Sequence, residues 1–130
     1  SVFNENDYQI LCDFAKQKNN MSILNWNLKK PGEWAETDWI YDSVSEKYRL
    51  YDCNFNCLKL DGNIDLSGCT KIDNIDFASN NIRTVTLPVR NINEGEFYNC
   101  SKLEAVILQG GTTISSGAFM NCPALQAIYT

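Results

Sequence analysis

The stretch GEFYNCSKLEAVI (residues 95–107) is followed, 22 positions later, by GAFMNCPALQAIY (residues 117–129). A glycine, a phenylalanine, an Asn-Cys pair and two further apolar positions recur at the same spacing in both. Because several residue types recur together, the match indicates a repeated structural unit and not a chance pairing of apolar residues.

Earlier parts of the chain carry the same apolar spacing. Leu103-x-x-Val106-x-Leu108 has counterparts that start at Ile82 and at Ile72. The stretch LDGNIDLSGCTKI (residues 60–72) reads as a looser copy, which would place Leu66 in the position of Phe97 and Cys69 in that of Cys100. A period of roughly 20–29 residues with an L-x-x-L-x-L core is typical of a leucine-rich repeat.

The alternation within each unit predicts how the units stack. In an extended segment, Val106 and Leu108 lie on one face, and Ala105, Ile107 and Gln109 on the other. One unit buries too few side chains to fold alone, so neighbouring units must stack and share a core. We therefore predict an α/β, or mainly β, solenoid: about four leucine-rich repeat units with parallel strands over residues 50–130.

The first 49 residues contain no repeat and are predicted to form a helical N-terminal cap. Tyr8, Leu11, Phe14 and Ala15 would line one face of a helix that has Asn6 or Asp7 as its N-cap. A Trp-rich loop follows. Its tryptophans are expected to cover the open end of the first repeat. Alternatively, Trp34 and Trp39 form an aromatic platform for a sugar ring or a peptide.

Two resemblances follow from these motifs. The pattern I-x-x-V-T-L-P…G-x-F-x-N-C-x-x-L-x-x-V-x-L over residues 82–130 resembles the bacterial surface leucine-rich repeats of the BspA type, and IDNIDFASNNIRTVTLP (residues 72–88) resembles related repeats. The order of helix, tryptophans and Arg49-Leu50 resembles the N-terminal cap of plant-type extracellular leucine-rich repeats, without the paired cysteines of that cap. The resemblance implies a secreted or cell-surface bacterial protein whose signal segment is not in this chain.

Composition excludes several function classes. The formal net charge is −5 and the basic residues are scattered, which argues against nucleic-acid binding. No histidine is present, so catalytic triads and His-ligated zinc are excluded. We expect no catalytic residues, metal or cofactor, no membrane insertion and free repeat cysteines. For Asp61, Asn63, Asp65 and Ser67, a turn between strands is favoured over a calcium loop because Leu66 and Ile72 replace the Gly and Glu of an EF-hand.

Outward-facing residues on stacked strands should form rows that a partner can contact. One row would contain Asp76, Thr86, Ile107 and Tyr129; a second would contain Asn74, Thr84, Ala105 and Ala127. The predicted binding residues on this sheet face are Asn74, Asp76, Thr84, Thr86, Ile107, Gln109 and Tyr129. We expect a non-catalytic binding module for a protein or glycan. The alternative is a structural or self-assembling spacer that forms a homodimer through its C-terminal edge.

Overall fold

The computed structural model describes all residues, 1–130. Two helices, α1 (Glu5–Ala15) and α2 (Asn20–Leu24), and a 3-10 turn (Pro31–Glu33) precede seven strands. The strands are β1 (Thr37–Asp42), β2 (Lys47–Asn54), β3 (Asp61–Asp65), β4 (Asn74–Asp76), β5 (Asn81–Thr86), β6 (Ala105–Ile107) and β7 (Ala127–Tyr129). The predicted division at residue 49/50 falls inside β2.

The strands form two sheets on opposite sides of one core. Their orders are β1-β2-β4 and β3-β5-β6-β7. All neighbours pair in parallel except β1 and β2, which form an antiparallel hairpin. The chain therefore winds as a solenoid of about four turns, as predicted from the repeat.

Each turn of the solenoid supplies backbone to both sheets, and this corrects two register predictions. Asn74 and Asp76 pair with Asp52 and Asn54, not with Thr84 and Thr86. The apolar patterns starting at Ile72 and Ile82 are thus the two sides of one turn and not two successive units. The chain reverses between them at Ser79, which adopts the left-handed conformation with φ 57°.

The looser early copy is also aligned differently from the prediction. The Leu66 amide donates to the Thr86 carbonyl, and the Leu87 amide donates to that of Ile107. Leu66 therefore stacks in the column of Leu87, at the end of a strand. The position of Phe97 is held in earlier turns by Phe77 and, before it, by Phe55. Cys69 follows Leu66 and Cys100 follows Phe97, so the two cysteines lie at opposite corners of the solenoid. Their surrounding sequences are similar because the same local turn occurs at both corners.

A column of phenylalanine rings runs through the core. Adjacent rings have centroids 5.2–5.7 Å apart from Phe14 of α1 to Phe119 of the last turn. The column passes through Phe55, Phe77 and Phe97, which are all fully buried. Burial of one such side chain stabilises a fold by about 1.5–3 kcal/mol, and repetition at equivalent positions joins the turns into one core.

Helix α1 is fixed to the stack by a buried carboxylate. Its N-cap is Asn4, whose side chain accepts from the Asp7 amide at 2.9 Å, so the predicted N-cap at Asn6 or Asp7 is wrong. Asp7 lies inside the first turn and accepts from Arg49 Nε at 2.8 Å and from the Leu50 amide at 3.0 Å. The predicted apolar face of the helix is confirmed for Leu11, Phe14 and Ala15, which are buried.

Two side-chain amides close the first edge of the β3-β5-β6-β7 sheet. Gln17 donates to the Asn63 carbonyl and accepts from the Asn63 amide, both at 2.8 Å. Asn20 does the same with Asp61, at 2.8 and 2.9 Å. These amides provide the hydrogen bonds of a missing strand. An unpaired edge would otherwise be open to association with another chain.

Candidate functional site

The β3-β5-β6-β7 sheet brings together four of the predicted binding residues. Thr84 and Thr86 on β5 are followed across the sheet by Ala105 and Ile107 on β6, and then by Ala127 and Tyr129 on β7. Ile107 is 40% exposed and Tyr129 is 58% exposed. These two residues are direct neighbours in the register, and we call them the apolar pair.

The same sheet adds two residues that the sequence analysis did not place there. Asn63 pairs in register with Thr84, and Asp65 with Thr86. The Thr84 hydroxyl donates to Asn63 Oδ1 at 2.7 Å. The alternation of Gly62, Ile64 and Leu66 with polar residues indicates a strand with Asn63 and Asp65 facing outward. The incorrect alignment of Leu66 with Phe97 placed these two residues outside the sheet.

Gln109 lies outside this sheet. Strand β6 ends at Ile107, and Gln109 begins the next turn, where its carbonyl accepts from the Thr112 hydroxyl at 2.8 Å. Gly111 then reverses the chain with φ +88°. The predicted outward alternation therefore stops two residues before Gln109.

Asn74 and Asp76 belong to a second surface, on the β1-β2-β4 sheet. Across that sheet, Asp38 pairs with Asp52 and Asp52 pairs with Asn74, while Asn54 pairs with Asp76. The next turn adds Glu94 beside Asp76. We call this surface the acidic face; its side chains are Asp38, Asp52, Asn54, Asn74, Asp76 and Glu94.

Two shallow clefts flank Asp76 on the acidic face. One, of about 290 Å³, is lined by Asp52, Asn54, Asn74 and Asp76. The other, of about 390 Å³, includes Asn56, Asp76, Glu94 and Tyr98 among its lining residues. The face thus offers carboxylate and carboxamide groups along two neighbouring depressions that share Asp76 and are built from three successive turns of the solenoid.

The acidic face carries negative charge without local compensation. The four ion pairs of the chain are Lys30–Glu33, Arg49–Asp7, Arg83–Asp61 and Arg90–Glu96, so none involves a carboxylate of this face. Burial raises the pKa of Asp52, and the nearby charges of Asp38 and Asp73 raise it further. Ionised carboxylates at this site therefore repel one another.

The structure separates the two tryptophans that were predicted as an alternative aromatic site. Trp34 is 2% exposed, stacks on Trp26 with ring centroids 4.2 Å apart, and donates from Nε1 to the Asn27 carbonyl. Its ring is part of the core, so the proposed platform that includes Trp34 is wrong. The sequence of the loop alone could not indicate that α1 and other elements would bury the Trp34 ring.

Trp39 remains accessible in a cleft of about 330 Å³. Phe3 meets its ring edge-to-face at 5.0 Å, and Tyr48 lies beside Phe3 at 5.7 Å. Asp38 also lines this cleft. We call it the aromatic cleft; its residues are Phe3, Gly32, Thr37, Asp38, Trp39 and Tyr48. Because Asp38 also pairs with Asp52, the aromatic cleft adjoins the acidic face.

Asn80 joins two turns of the solenoid through hydrogen bonds to backbone groups at one corner. Its side chain is buried, and Nδ2 donates to the carbonyls of Phe55, Phe77 and Ala78 at 2.7, 2.9 and 3.1 Å. The Leu60 amide donates to Oδ1 at 2.9 Å. At the same corner of the next two turns, thiols replace the amide: Cys100 Sγ donates to the Phe77 carbonyl and Cys122 Sγ to that of Phe97.

All six cysteines are free thiols, as expected for those in the repeats. Burial raises the pKa of Cys53 and Cys69, and raises that of Cys100 to about 12. Cys57 is the exposed thiol. Buried thiols with raised pKa values stay protonated and chemically inert, so they act as core filler.

The segment that was weighed as a calcium loop is occupied by internal contacts. Asp61 accepts from Arg83 Nε at 2.9 Å, and Asp65 Oδ1 accepts from the Ser67 amide at 3.0 Å. Asp61, Asn63 and Asp65 lie in strand β3, and only Ser67 lies in a turn, so the prediction of a turn between strands is wrong for the first three residues. No three His, Cys, Asp or Glu side chains of the chain converge in a way that could hold a metal ion.

Comparison with known proteins identifies the repeats. The model of the BspA type leucine rich repeat region matches residues 45–130 with six copies. No curated protein and no solved structure gives a significant match. Repeats of this type typically occur in surface or secreted bacterial proteins, and the family is generally non-catalytic. None of the helices has the length and apolar character needed to cross a membrane. The chain belongs to the family of BspA type leucine-rich repeat regions.

Proposed function

We propose that this chain is a non-catalytic binding module of a secreted or cell-surface bacterial protein, and that it presents a sheet of its solenoid to a protein or glycan. Leucine-rich repeats suggest a protein-interaction module. The observation that carries the proposal is the apolar pair: Ile107 and Tyr129 are exposed side by side on an otherwise polar sheet. Exposed aromatic and aliphatic side chains in contact are typical anchors of binding surfaces.

The surroundings of the apolar pair support a recognition role. Thr84 and Thr86 lie on the adjacent strand and carry hydroxyl groups, which donate and accept hydrogen bonds. Asn63 and Asp65 extend the polar part of the surface by one more strand. An apolar centre with a polar rim is the usual composition of a protein interface.

The test is a binding screen with charged substitutions. The wild-type chain is immobilised and probed with host extracellular-matrix proteins and a glycan array. Ile107→Lys with Tyr129→Lys is expected to abolish a specific signal. Val44→Lys with Val89→Lys is the matched control, because both valines are exposed and lie outside the sheet. Equal retention of partners by both double variants would contradict the proposal.

A self-assembling spacer is the second candidate, and the edge of β7 favours it. Ile128 pairs in register with Val106, yet Ile128 is 40% exposed whereas Val85 and Val106 are fully buried. The opposite edge is closed by Gln17 and Asn20. Within this sheet, a second copy could therefore offer only its own β7, and pairing of two β7 strands gives an antiparallel pair about a two-fold axis and not a polymer.

Sedimentation velocity distinguishes this candidate. A dimer is expected between about 1 and 300 µM protein, and Ile128→Lys should dissociate it while leaving the circular dichroism spectrum unchanged. In a longer chain, a further turn would occupy the same edge. A monomer over the whole concentration range would exclude the dimer and leave the binding-module proposal untouched.

A further inference from the structure

We propose that the acidic face, together with the aromatic cleft, binds an extended Lys/Arg-rich segment of a protein partner. This inference rests on the proposed function, that the chain is a binding module, but it concerns the sheet opposite the apolar pair. The occupant is defined by chemistry: a chain with repeated cationic side chains, one of which enters the aromatic cleft beside Asp38.

Charge complementarity is the first step. Asp38, Asp52, Asp76 and Glu94 lie on one surface, and none of them has a Lys or Arg partner within ion-pair distance. In contrast, Glu96 of the same turn is buried and paired with Arg90 at 2.7 Å. Asp76 accepts hydrogen bonds from Asn56 Nδ2 and the Ala78 amide, but these neutral donors leave its charge without a cationic partner. A cationic ligand would relieve the mutual repulsion of the four carboxylates.

The aromatic rings are an independent observation that points to the same ligand. Trp39 and Tyr48 line a cleft that also contains Asp38. A ring face beside a carboxylate attracts a guanidinium or ammonium group through both its quadrupole and the charge. At the other end of the acidic face, Tyr98 lines the same cleft as Glu94. Aromatic rings thus stand at both ends of the carboxylate row.

The spacing suits an extended segment. Asp52 and Asp76 lie on adjacent strands and are offset by two residues in register, which separates such positions by about 7–8 Å. Alternate side chains of an extended peptide lie about 6.6–6.8 Å apart. Successive cationic residues on one side of a peptide could therefore meet successive carboxylates. A single small cation would contact only one of them.

The experiment uses a fluorescein-labelled (Arg-Ser)4 peptide, with (Glu-Ser)4 as the negative probe, and fluorescence anisotropy on the full chain at 20, 150 and 500 mM NaCl. We expect (Arg-Ser)4 to bind, with an affinity that falls as salt rises. Asp52→Asn with Asp76→Asn keeps the side-chain shape and removes two charges, so it should weaken binding about fivefold, as for two partly exposed ion pairs.

Two matched controls make the test specific to this face. Asp65→Asn with Glu104→Gln removes two exposed charges elsewhere on the chain and should change the affinity less than twofold. Tyr48→Leu should weaken binding two- to fivefold, whereas Tyr129→Leu on the opposite sheet should not. Thermal melting of each variant checks that the fold is retained.

Three results would overturn the inference: no binding of (Arg-Ser)4 below about 1 mM at 20 mM NaCl, equal weakening by both charge-removing pairs, or glycan binding that depends on Asp52 and Asp76 without peptide binding. None of these results bears on the apolar pair. Loss of partner capture by Ile107→Lys with Tyr129→Lys would still support the proposed function, so the two failures are distinguishable.

Discussion

Substitution of Asn80 tests the corner hydrogen bonds that join the turns. Asn80→Ala removes the only acceptor of the Leu60 amide, which lies in a fully buried residue. An orphaned buried donor costs about 1–3 kcal/mol. The carbonyls of Phe55, Phe77 and Ala78 each lose one donor but retain another from Leu58, Cys100 and Cys57, respectively. We therefore expect a total loss of about 2–4 kcal/mol, a large share of the ~5–15 kcal/mol typical of a domain.

Two further variants at this position separate the contributions. Asn80→Cys copies the residue of the next two turns and should keep a donor to the Phe55 carbonyl, so it should be about 1 kcal/mol more stable than Asn80→Ala. Asn80→Asp keeps the acceptor for Leu60 but directs a carboxylate at three carbonyl oxygens. It should be the least stable of the three at pH 7.

The Asn80→Asp loss should depend on pH with a defined sign. Carbonyl oxygens and burial favour the protonated acid, so its folded-state pKa lies above the unfolded value of about 3.9. Stability is then greatest below that value and falls as pH rises through the folded-state pKa. Urea denaturation followed by circular dichroism at pH 3.5 and 7 measures this. The reasoning is refuted if Asn80→Ala lies within about 0.5 kcal/mol of wild type, or if Asn80→Asp matches Asn80→Ala at pH 7.

Three other outcomes are expected. Gln17→Ala with Asn20→Ala should lower the free energy of unfolding by about 2–4 kcal/mol, because four edge hydrogen bonds to β3 are lost. Urea titration measures this free energy, and a change below about 0.5 kcal/mol would contradict the edge-closing role. Asp52→Asn should raise the melting temperature at pH 7 but not at pH 3. The pKa of Asp52 is raised in the folded state, so ionisation of this carboxyl opposes folding as pH rises. A lower melting temperature of the variant at pH 7 would be inconsistent with this reasoning. Iodoacetamide at pH 8 should label the exposed Cys57 well before Cys100, whose pKa is raised to about 12. Mass spectrometry of tryptic peptides measures the order of labelling, and earlier labelling of Cys100 would show that this thiol is not buried.

Part of the candidate surface was predictable, because it depended only on local alternation. Thr84 and Thr86 face outward on β5, and Ile107 and Tyr129 are neighbours, as the period predicts. Asn74 and Asp76 also face outward, but on the other sheet. Alternation specifies that a side chain points away from the core; it does not specify from which side of the core, because both sides have the same pattern.

Recurrence at a fixed spacing was enough to specify the period, the family and the inward column of apolar residues. Long-range packing was needed to show that each turn supplies backbone to both sides of the core, that Leu66 aligns with Leu87, and that Trp34 is buried while Trp39 is accessible. These outcomes depend on contacts between residues far apart in the chain. A corner such as Ser79 redirects the backbone without changing the apolar spacing on either side of it.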